Sequence, residues 1–170
     1  DRGNTRPLGI SCLEDKIVQR LYAKLLGALY EPEFMDCSYG FRPGRNCHQA
    51  VKGVLDYQYQ HRKTVILDAD ITNFFGTIDH QKLLQLLGLR IGDKTFLRYI
   101  SRMLKSGIMD VQGHRPTHEG VVQGSICSPI LANIFAHYAI DRWIYGTVKR
   151  YCPSVELYRY CDDFILCFSS

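Results

Sequence analysis

Long apolar runs are missing from this sequence of 170 residues. A membrane-spanning helix needs roughly 18 or more consecutive apolar residues, and no stretch of the sequence approaches that length. The sequence also lacks an N-terminal leader with a basic start, an apolar centre and a small-residue cleavage site. We therefore expect a cytoplasmic protein that has no membrane partner.

Cysteine pairs with CxxC spacing are absent as well, although the sequence contains seven cysteines. Because zinc sites usually draw on closely spaced cysteine or histidine pairs, we predict no zinc site. The cysteines are better interpreted as small, reduced residues of an intracellular protein.

A strong excess of one charge is missing too, since 21 basic and 17 acidic residues give a net charge of +4. That balance does not by itself indicate a nucleic-acid partner. One segment is locally basic, and its basic residues recur at helical spacing opposite an apolar face. These residues are Lys94, Arg98, Arg102 and Lys105. Their face is either an ordinary solvated helix surface or a stripe that follows a phosphate backbone.

The rest of the composition is that of a globular domain, with 46% hydrophobic and 22% charged residues. Apolar periodicity, caps and breakers predict helices over residues 10–30, 47–61, 80–87, 94–106 and 129–145, a turn or hairpin over 110–118, and strands over 64–71, 155–160 and 164–168. We expect the first helix to bury an apolar stripe, and the β-branched strand over 64–71 to be buried. This order favours an α+β fold, in which helices back an antiparallel sheet.

Three aspartates stand at the ends of the predicted strands. Asp70 lies near the end of one strand, and Asp162 and Asp163 occupy the tip of the predicted hairpin. Carboxylates beside a core are costly unless a cation neutralises them, and hard divalent cations prefer oxygen ligands. An Asp-Asp pair in a hairpin is commonly just a turn, so a metal site needs support from the surrounding sequence.

That support comes from five motifs that resemble those of reverse transcriptases and occur in the same order. They are Arg6–Ile10 (RPLGI), Ser38–Arg45 (SYGFRPGR), Asp70–Phe75 (DITNFF) with Ile78–His80 (IDH), Val122–Ser125 (VQGS) with Ser128–Asn133 (SPILAN), and Arg159–Phe164 (RYCDDF). The last resembles the YxDD box, and the first two resemble finger motifs of the group II intron branch. The sequence is therefore similar to the group II intron-encoded reverse transcriptase (maturase) family over nearly all of its length.

The resemblance implies a right-hand polymerase fold. Residues 1–62 would form part of the fingers, and residues 63–170 would form the palm, an antiparallel sheet backed by helices. The sequence stops seven residues after Asp163, so the family's C-terminal thumb is expected to be absent. We accordingly expect the isolated fragment to show weak or no polymerase activity, because much of the contact with primer and template is missing.

The resemblance also implies RNA-directed DNA polymerase activity, with dNTPs added to the 3′-hydroxyl of a primer. Asp70, Asp162 and Asp163 would be the catalytic residues. Together with Ile71 they would bind two Mg²⁺ ions, for which Mn²⁺ would be able to substitute. The implied partners are an RNA template, a DNA primer, dNTPs and intron RNA, in the bacterial cytoplasm.

Two further groups of residues carry roles by resemblance. The implied dNTP-binding residues are Arg6, Phe75, Gln123 and Gly124. The implied template- and primer-binding residues are Gly40, Arg42, Arg45 and Tyr160. Phe75 would exclude a 2′-hydroxyl beneath the nucleotide sugar; the alternative is an ordinary core residue. Arg45 could equally cap a helix or pair with an acid.

Two alternatives to an intron enzyme remain open at this point. One is a CRISPR-associated or phage-defence reverse transcriptase of the same lineage. The other is a maturase that binds RNA without catalysis. The three intact aspartates argue against the second alternative, because a protein that only binds RNA has no need for clustered acids.

Overall fold

The computed structural model describes residues 9–110, 113–115, 119–122 and 124–169. The predicted nucleotide-binding residues Arg6 and Gln123 lie outside these ranges. In chain order the elements are α1 (Leu13–Tyr30), α2 (Cys47–Gln60), β1 (Thr64–Asp70), α3 (Phe74–Thr77), α4 (His80–Gly88), α5 (Lys94–Lys105), β2 (Ile108–Asp110), β3 (Gly113–Arg115), α6 (Ser128–Ala136), two π-helical stretches (His137–Asp141 and Ile144–Val148), α7 (Lys149–Tyr151), β4 (Glu156–Tyr160) and β5 (Asp163–Ser169).

The chain divides into two compact units. The first unit joins the segment up to Leu26 with Asn73–Leu131, and the second joins Gly27–Thr72 with Ala132–Ser170. The three aspartates therefore belong to the second unit. The division into fingers over residues 1–62 and palm over residues 63–170 stays a prediction.

In the first unit, α4 packs against α5, and aspartates cap both helices. The carboxylate of Asp79 accepts a hydrogen bond from the backbone N–H of Lys82 at 2.8 Å, and Asp93 caps α5 in the same way. Ile100 and Leu104 of α5 are buried. The four basic residues of α5 are exposed, so the predicted basic face is confirmed. Whether this face binds a phosphate backbone stays a prediction.

The second unit is built on a three-stranded antiparallel sheet in the order β1–β5–β4. On one face of this sheet, Val54 and Tyr57 of α2 pack against Cys167 of β5. The other face is covered by a second core cluster, whose buried members are Cys37, Ile144, Val155, Leu157 and Leu166. Helices thus back an antiparallel sheet, and the predicted α+β fold is confirmed.

The strand over 64–70 forms as predicted, but the prediction that it is buried is wrong. Val65, Ile66 and Leu67 are 68%, 41% and 49% exposed. The strand is β1, which lies at the edge of the sheet beside β5. A β-branched composition favours a strand, but it does not determine whether another element covers that strand.

Most of the apolar stripe predicted for α1 is likewise exposed rather than buried, with Leu26 as the exception. Ile17, Leu21 and Leu25 are 63%, 55% and 45% exposed, whereas Leu26 and Tyr30 are fully buried. The periodicity correctly identified the helix, which begins three residues later than predicted. It could not show which side of the helix would be covered. No helix within the described ranges is long and apolar enough to cross a membrane.

Candidate active site

Asp162 and Asp163 lie on a tight hairpin formed by β4 and β5. Tyr160 and Asp163 are register partners, so Cys161 and Asp162 form the two-residue turn between the strands. Cys161 has a φ of 64°, in the left-handed region that tight hairpin turns use. This hairpin was predicted from the sequence and is confirmed.

Asp70 lies beside this hairpin because β1 pairs with β5. Asp70 is the register partner of Asp163, and directly opposed residues in an antiparallel pair project from the same face of the sheet. Asp68, two residues earlier on β1, projects from that face too. Sequence reasoning missed Asp68, although the two-residue period of a strand could have identified it. The structure thus gathers acidic residues at one end of the sheet.

This concentration of negative charge affects Asp163. Partial burial raises the pKa of Asp163, and the negative charges of Asp162, Asp70 and Asp68 raise it further. Asp70 and Asp163 are both exposed, and Asp162 is half-buried. They are crowded together at a solvated end of the sheet.

A divalent cation fits this group of carboxylates by its chemistry. Mg²⁺ prefers oxygen ligands and binds through one or two carboxylates, with waters and substrate phosphates completing its shell. Strand pairing places Asp70 directly opposite Asp163. Across the described ranges, no group of three or more His, Cys, Asp or Glu side chains is already arranged to hold a metal. The carboxylates therefore fit a cation that substrate phosphates help to hold.

Ile71 and Tyr160 flank the aspartates. Ile71 directly follows β1 and is half-buried. Since its side chain is a hydrocarbon, its backbone carbonyl oxygen is the atom that could bind a cation. Tyr160 is the last residue of β4, and its side chain is exposed beside Asp163 in the register. A metal contact by Ile71 and a primer contact by Tyr160 stay predictions.

Phe75 and Gly124 belong to the first unit, where a backbone contact connects their segments. The N–H of Val121, three residues before Gly124, donates to the carbonyl oxygen of Phe75 at 2.7 Å. Gly124 has a φ of 100°, a conformation that favours glycine. Phe74 is buried, whereas Phe75 is partly exposed. That exposure is compatible with a contact to the nucleotide, and the dNTP-binding roles stay predictions.

The predicted template residue Arg42 is buried in the loop between α1 and α2. Its guanidinium donates to the carboxylate of Glu31 at 2.9 and 3.1 Å. It also donates to the carbonyl oxygens of Met35 at 2.7 Å and Ser38 at 2.8 Å. All three side-chain nitrogens therefore bind the protein and tie this loop to the end of α1. A template contact by Arg42 stays a prediction.

Arg45 pairs with an acid, one of the alternatives left open by the sequence. It forms an ion pair with Asp36, and it donates a second hydrogen bond to the carbonyl oxygen of the same residue at 3.0 Å. Its guanidinium lies over the ring of Tyr39, 5.5 Å from the centroid. The α2 cap is supplied by Asn46 instead. The partner carboxylate of Asp36 is exposed, where an ion pair is weak, and the template role of Arg45 stays a prediction.

Gly40 lies directly against the turn of the hairpin. A Cβ atom added to Gly40 would come within 2.5 Å of the Cys161 Sγ and 2.7 Å of the Cys161 backbone nitrogen. The amide of Asn133 donates to the Gly40 carbonyl oxygen at 2.7 Å. Glycine at this position therefore allows a close approach that any side chain would prevent. The predicted contact between Gly40 and the template is untested.

Replacing Gly40 by alanine should destabilise the fold by about 1–3 kcal/mol, the usual cost of overpacking. The added methyl group would collide with backbone as well as with a side chain, so the turn would have to shift. The matched control is Gly27→Ala in α1, where an added Cβ meets nothing within 4 Å and alanine is the better helix former. Denaturant unfolding checks the prediction, and equal stability of the two variants would contradict it.

Arg159, the residue before Tyr160, is fully buried, and its side chain is hydrogen-bonded to four other residues. Its Nε and Nη2 donate to the carboxylate of Asp141, each at 2.7 Å. Its Nη1 donates to the side-chain oxygen of Asn133 at 3.1 Å and to the carbonyl oxygen of Cys161 at 3.0 Å. Its Nη2 also donates to the hydroxyl of Ser38 at 2.8 Å. Burial opposes ionisation of Asp141, but the hydrogen bonds from Arg159 lower the pKa of that carboxyl.

Sequence reasoning missed this network, because three of the partners lie 18, 26 and 121 residues away along the chain. No local pattern marks an arginine that is buried by contacts of this range.

The chain matches the protein family described as reverse transcriptase (RNA-dependent DNA polymerase) over residues 1–170. It is 32% identical to protein YkfC of Escherichia coli K12, over 96% of this chain and 51% of that protein. It is 37% identical to the group II intron-encoded protein LtrA of Lactococcus lactis subsp. cremoris, over 82% of this chain and 23% of that protein.

Further matches extend beyond bacteria. An uncharacterized 91 kDa protein in a cob intron of Schizosaccharomyces pombe is 40% identical, over 84% of this chain and 17% of that protein. Among solved structures, telomerase from Candida albicans superposes with a TM-score of 0.68 at 15% identity, over 91% of this chain and 30% of that chain. This last likeness concerns the fold. The chain spans about half or less of the relatives that it matches.

Proposed function

Because the chain belongs to the reverse transcriptase family, we propose that the full-length protein is an RNA-directed DNA polymerase. It adds dNTPs to the 3′-hydroxyl of a DNA primer on an RNA template. The observation that carries this proposal is the pairing of Asp70 with Asp163 next to Asp162 in the turn. Carboxylates at one end of a sheet suit a phosphoryl transfer, in which positioning and charge stabilisation supply most of the catalysis.

Reverse transcriptases use divalent metal ions, and we propose two Mg²⁺ ions for this protein, with Mn²⁺ able to substitute. The ligands would be Asp70, Asp162, Asp163 and the carbonyl oxygen of Ile71. When bound, the ions lower the pKa of the primer hydroxyl and stabilise the pyrophosphate leaving group. The chain's own contribution is to hold the three carboxylates next to one another. Strand pairing fixes Asp70 opposite Asp163, and the tight turn fixes Asp162 next to it.

The remaining roles concern recognition. The guanidinium of Arg6 suits the triphosphate, because it can form bidentate hydrogen bonds. Phe75 would exclude a 2′-hydroxyl, and the loop of Gln123 and Gly124 would lie against the new base pair. The proposed template and primer contacts are Gly40, Arg42, Arg45 and Tyr160. For Arg42 and Gly40 these contacts would be made through a loop that their own hydrogen bonds and packing hold in place.

The similarity to LtrA supports a polymerase of the group II intron type, linked to intron splicing and mobility, with intron RNA as a partner. The CRISPR-associated or phage-defence alternative shares the catalytic portion and differs in the regions beyond it. We propose a location in the bacterial cytoplasm, and the relatives from Escherichia coli and Lactococcus support the bacterial part of this proposal. Binding of the full-length protein to a group II intron RNA, compared with an unrelated RNA of equal length, separates the intron type from the alternatives.

Primer extension tests the proposed activity. The full-length protein should extend a DNA primer on an RNA template with dNTPs and Mg²⁺, and chelation by EDTA should stop the reaction. A protein that binds the RNA but adds no dNTP with either Mg²⁺ or Mn²⁺ would instead be a non-catalytic maturase. In that case the proposed function is wrong.

A further inference from the structure

The buried Arg159 connects four segments around the turn that carries Asp162. Resting on the proposed function, we propose that Arg159 is a positioning residue that fixes this turn in its catalytic geometry. The direct contact is the hydrogen bond from Nη1 to the carbonyl oxygen of Cys161, at 3.0 Å. That carbonyl belongs to the peptide unit that joins Cys161 to Asp162. Arg159 therefore acts on the aspartates through the backbone, and it has no proposed contact with substrate.

The turn requires such support because of its backbone conformation. Cys161 is a non-glycine residue with a φ of 64°, a conformation that persists where the surroundings determine it. The guanidinium of Arg159 binds the carbonyl oxygen of Cys161. Gly40 packs against the Sγ and the backbone nitrogen of the same residue and leaves no space for a Cβ atom. Both contacts hold the turn residue Cys161.

The same arginine also ties the loop containing Gly40 to the hairpin. The backbone N–H of Arg159 donates to the carbonyl oxygen of Cys37, and its own carbonyl oxygen accepts from the N–H of Tyr39, both at 2.8 Å. Its side chain binds Ser38 between them. Asn133 completes the arrangement, because it accepts from Arg159 and donates to Gly40. Both supports of the turn therefore depend on one residue.

A role in fold stability alone does not explain this arrangement. Well-packed apolar residues can replace a buried ion pair at little or no cost in stability, so the pair of Arg159 with Asp141 is not needed simply to fill the core. What an apolar residue cannot supply is a donor for the Cys161 carbonyl oxygen. The planar guanidinium can bind Asp141 on one side and the turn on the other at the same time.

Two variants of the full-length protein separate positioning from stability. Arg159→Lys keeps the charge but loses the fork of donors. The matched control is Leu157→Ala, two residues earlier on the same face of β4, where a fully buried side chain belongs to the core cluster and supplies no hydrogen-bond donor. Asn133→Ala serves as a second test variant in case the lysine variant does not fold, since it removes one link from Arg159 and one from Gly40.

Three readouts are needed: denaturant unfolding, amide hydrogen exchange of residues 161–164, and kcat and KM for primer extension at a temperature where every variant is folded. We expect Arg159→Lys to speed exchange in the turn at least tenfold and to lower kcat at least tenfold with little change in KM for dNTP. Leu157→Ala should lose stability while its turn exchange and kcat stay within twofold of wild type.

Equal effects of the arginine and leucine variants on turn exchange would overturn the positioning role and leave Arg159 a purely structural residue. Hydrogen exchange does not depend on activity. If the wild-type protein extended no primer, the proposed function would fail, while the exchange comparison would still decide the role of Arg159.

Discussion

Replacement of Asp70 by asparagine in the full-length protein should reduce primer extension by a factor on the order of 10³ or more. Loss of a single hydrogen-bond donor to a developing negative charge already costs about 10²–10³ in kcat, and this change removes a charged oxygen ligand. Asparagine has nearly the shape of aspartate, so the geometry of β1 should not change. The measurement is the single-nucleotide extension rate on an RNA template with Mg²⁺.

The fold should tolerate this change. Asp70 is exposed at the end of an edge strand, where a substitution usually changes the free energy of unfolding by no more than about 0.5 kcal/mol. Removing one of several crowded carboxylates also relieves repulsion of Asp163. The control is Asp56→Asn on the exposed side of α2, which alters the net charge equally and should leave the rate unchanged. An Asp70→Asn variant that extends primers at the wild-type rate would contradict the assignment.

Replacement of Phe75 by valine should raise the use of rNTPs relative to dNTPs by about 10–100-fold. An oversized group forced into a filled site costs about 1–3 kcal/mol, and each 1.4 kcal/mol corresponds to about tenfold in an equilibrium or rate ratio. A smaller side chain removes this penalty for the 2′-hydroxyl. The measurement is kcat/KM for each nucleotide, using a single templated base.

Phe74 provides the control for this prediction. It lies beside Phe75 with the two ring centroids 5.9 Å apart, but it is buried. Phe74→Leu should therefore lower stability without altering the choice between rNTP and dNTP. If both variants discriminate as the wild type does, Phe75 is an ordinary core residue.

The hairpin of β4 and β5 could be predicted from the sequence because its signals are local. The two apolar runs on either side of Cys161 and Asp162 set the strands, and only a short turn fits between them. The caps of α2 and α4 were predictable for the same reason, since Asn46 and Asp79 bond to backbone groups three residues ahead. The pairing of Asp70 with Asp163 needed the motif resemblance, because strand order is not a local property.

The sequence was a poor guide wherever the outcome depends on what covers a surface. The apolar residues of β1 and the stripe of α1 follow the expected periods, yet many of them are exposed. Periodicity identifies the apolar face of a helix or strand, but it does not show whether another element packs against that face. The network of Arg159 could not be predicted for a related reason. An arginine in a sequence suggests a surface position or a phosphate contact, whereas the burial of Arg159 depends on distant partners such as Ser38 and Asp141.

The central claim is that Asp70, Asp162 and Asp163 hold the cations of a polymerase. The most direct measurement is a crystal structure of the full-length protein with primer, RNA template, a non-hydrolysable dNTP and Mn²⁺, with the ions located by anomalous scattering. We expect Mn²⁺ within about 2.0–2.6 Å of carboxylate oxygens of Asp70 and Asp163, the range for hard cations with oxygen ligands. Mn²⁺ bound to the nucleotide but away from both carboxylates would contradict this claim.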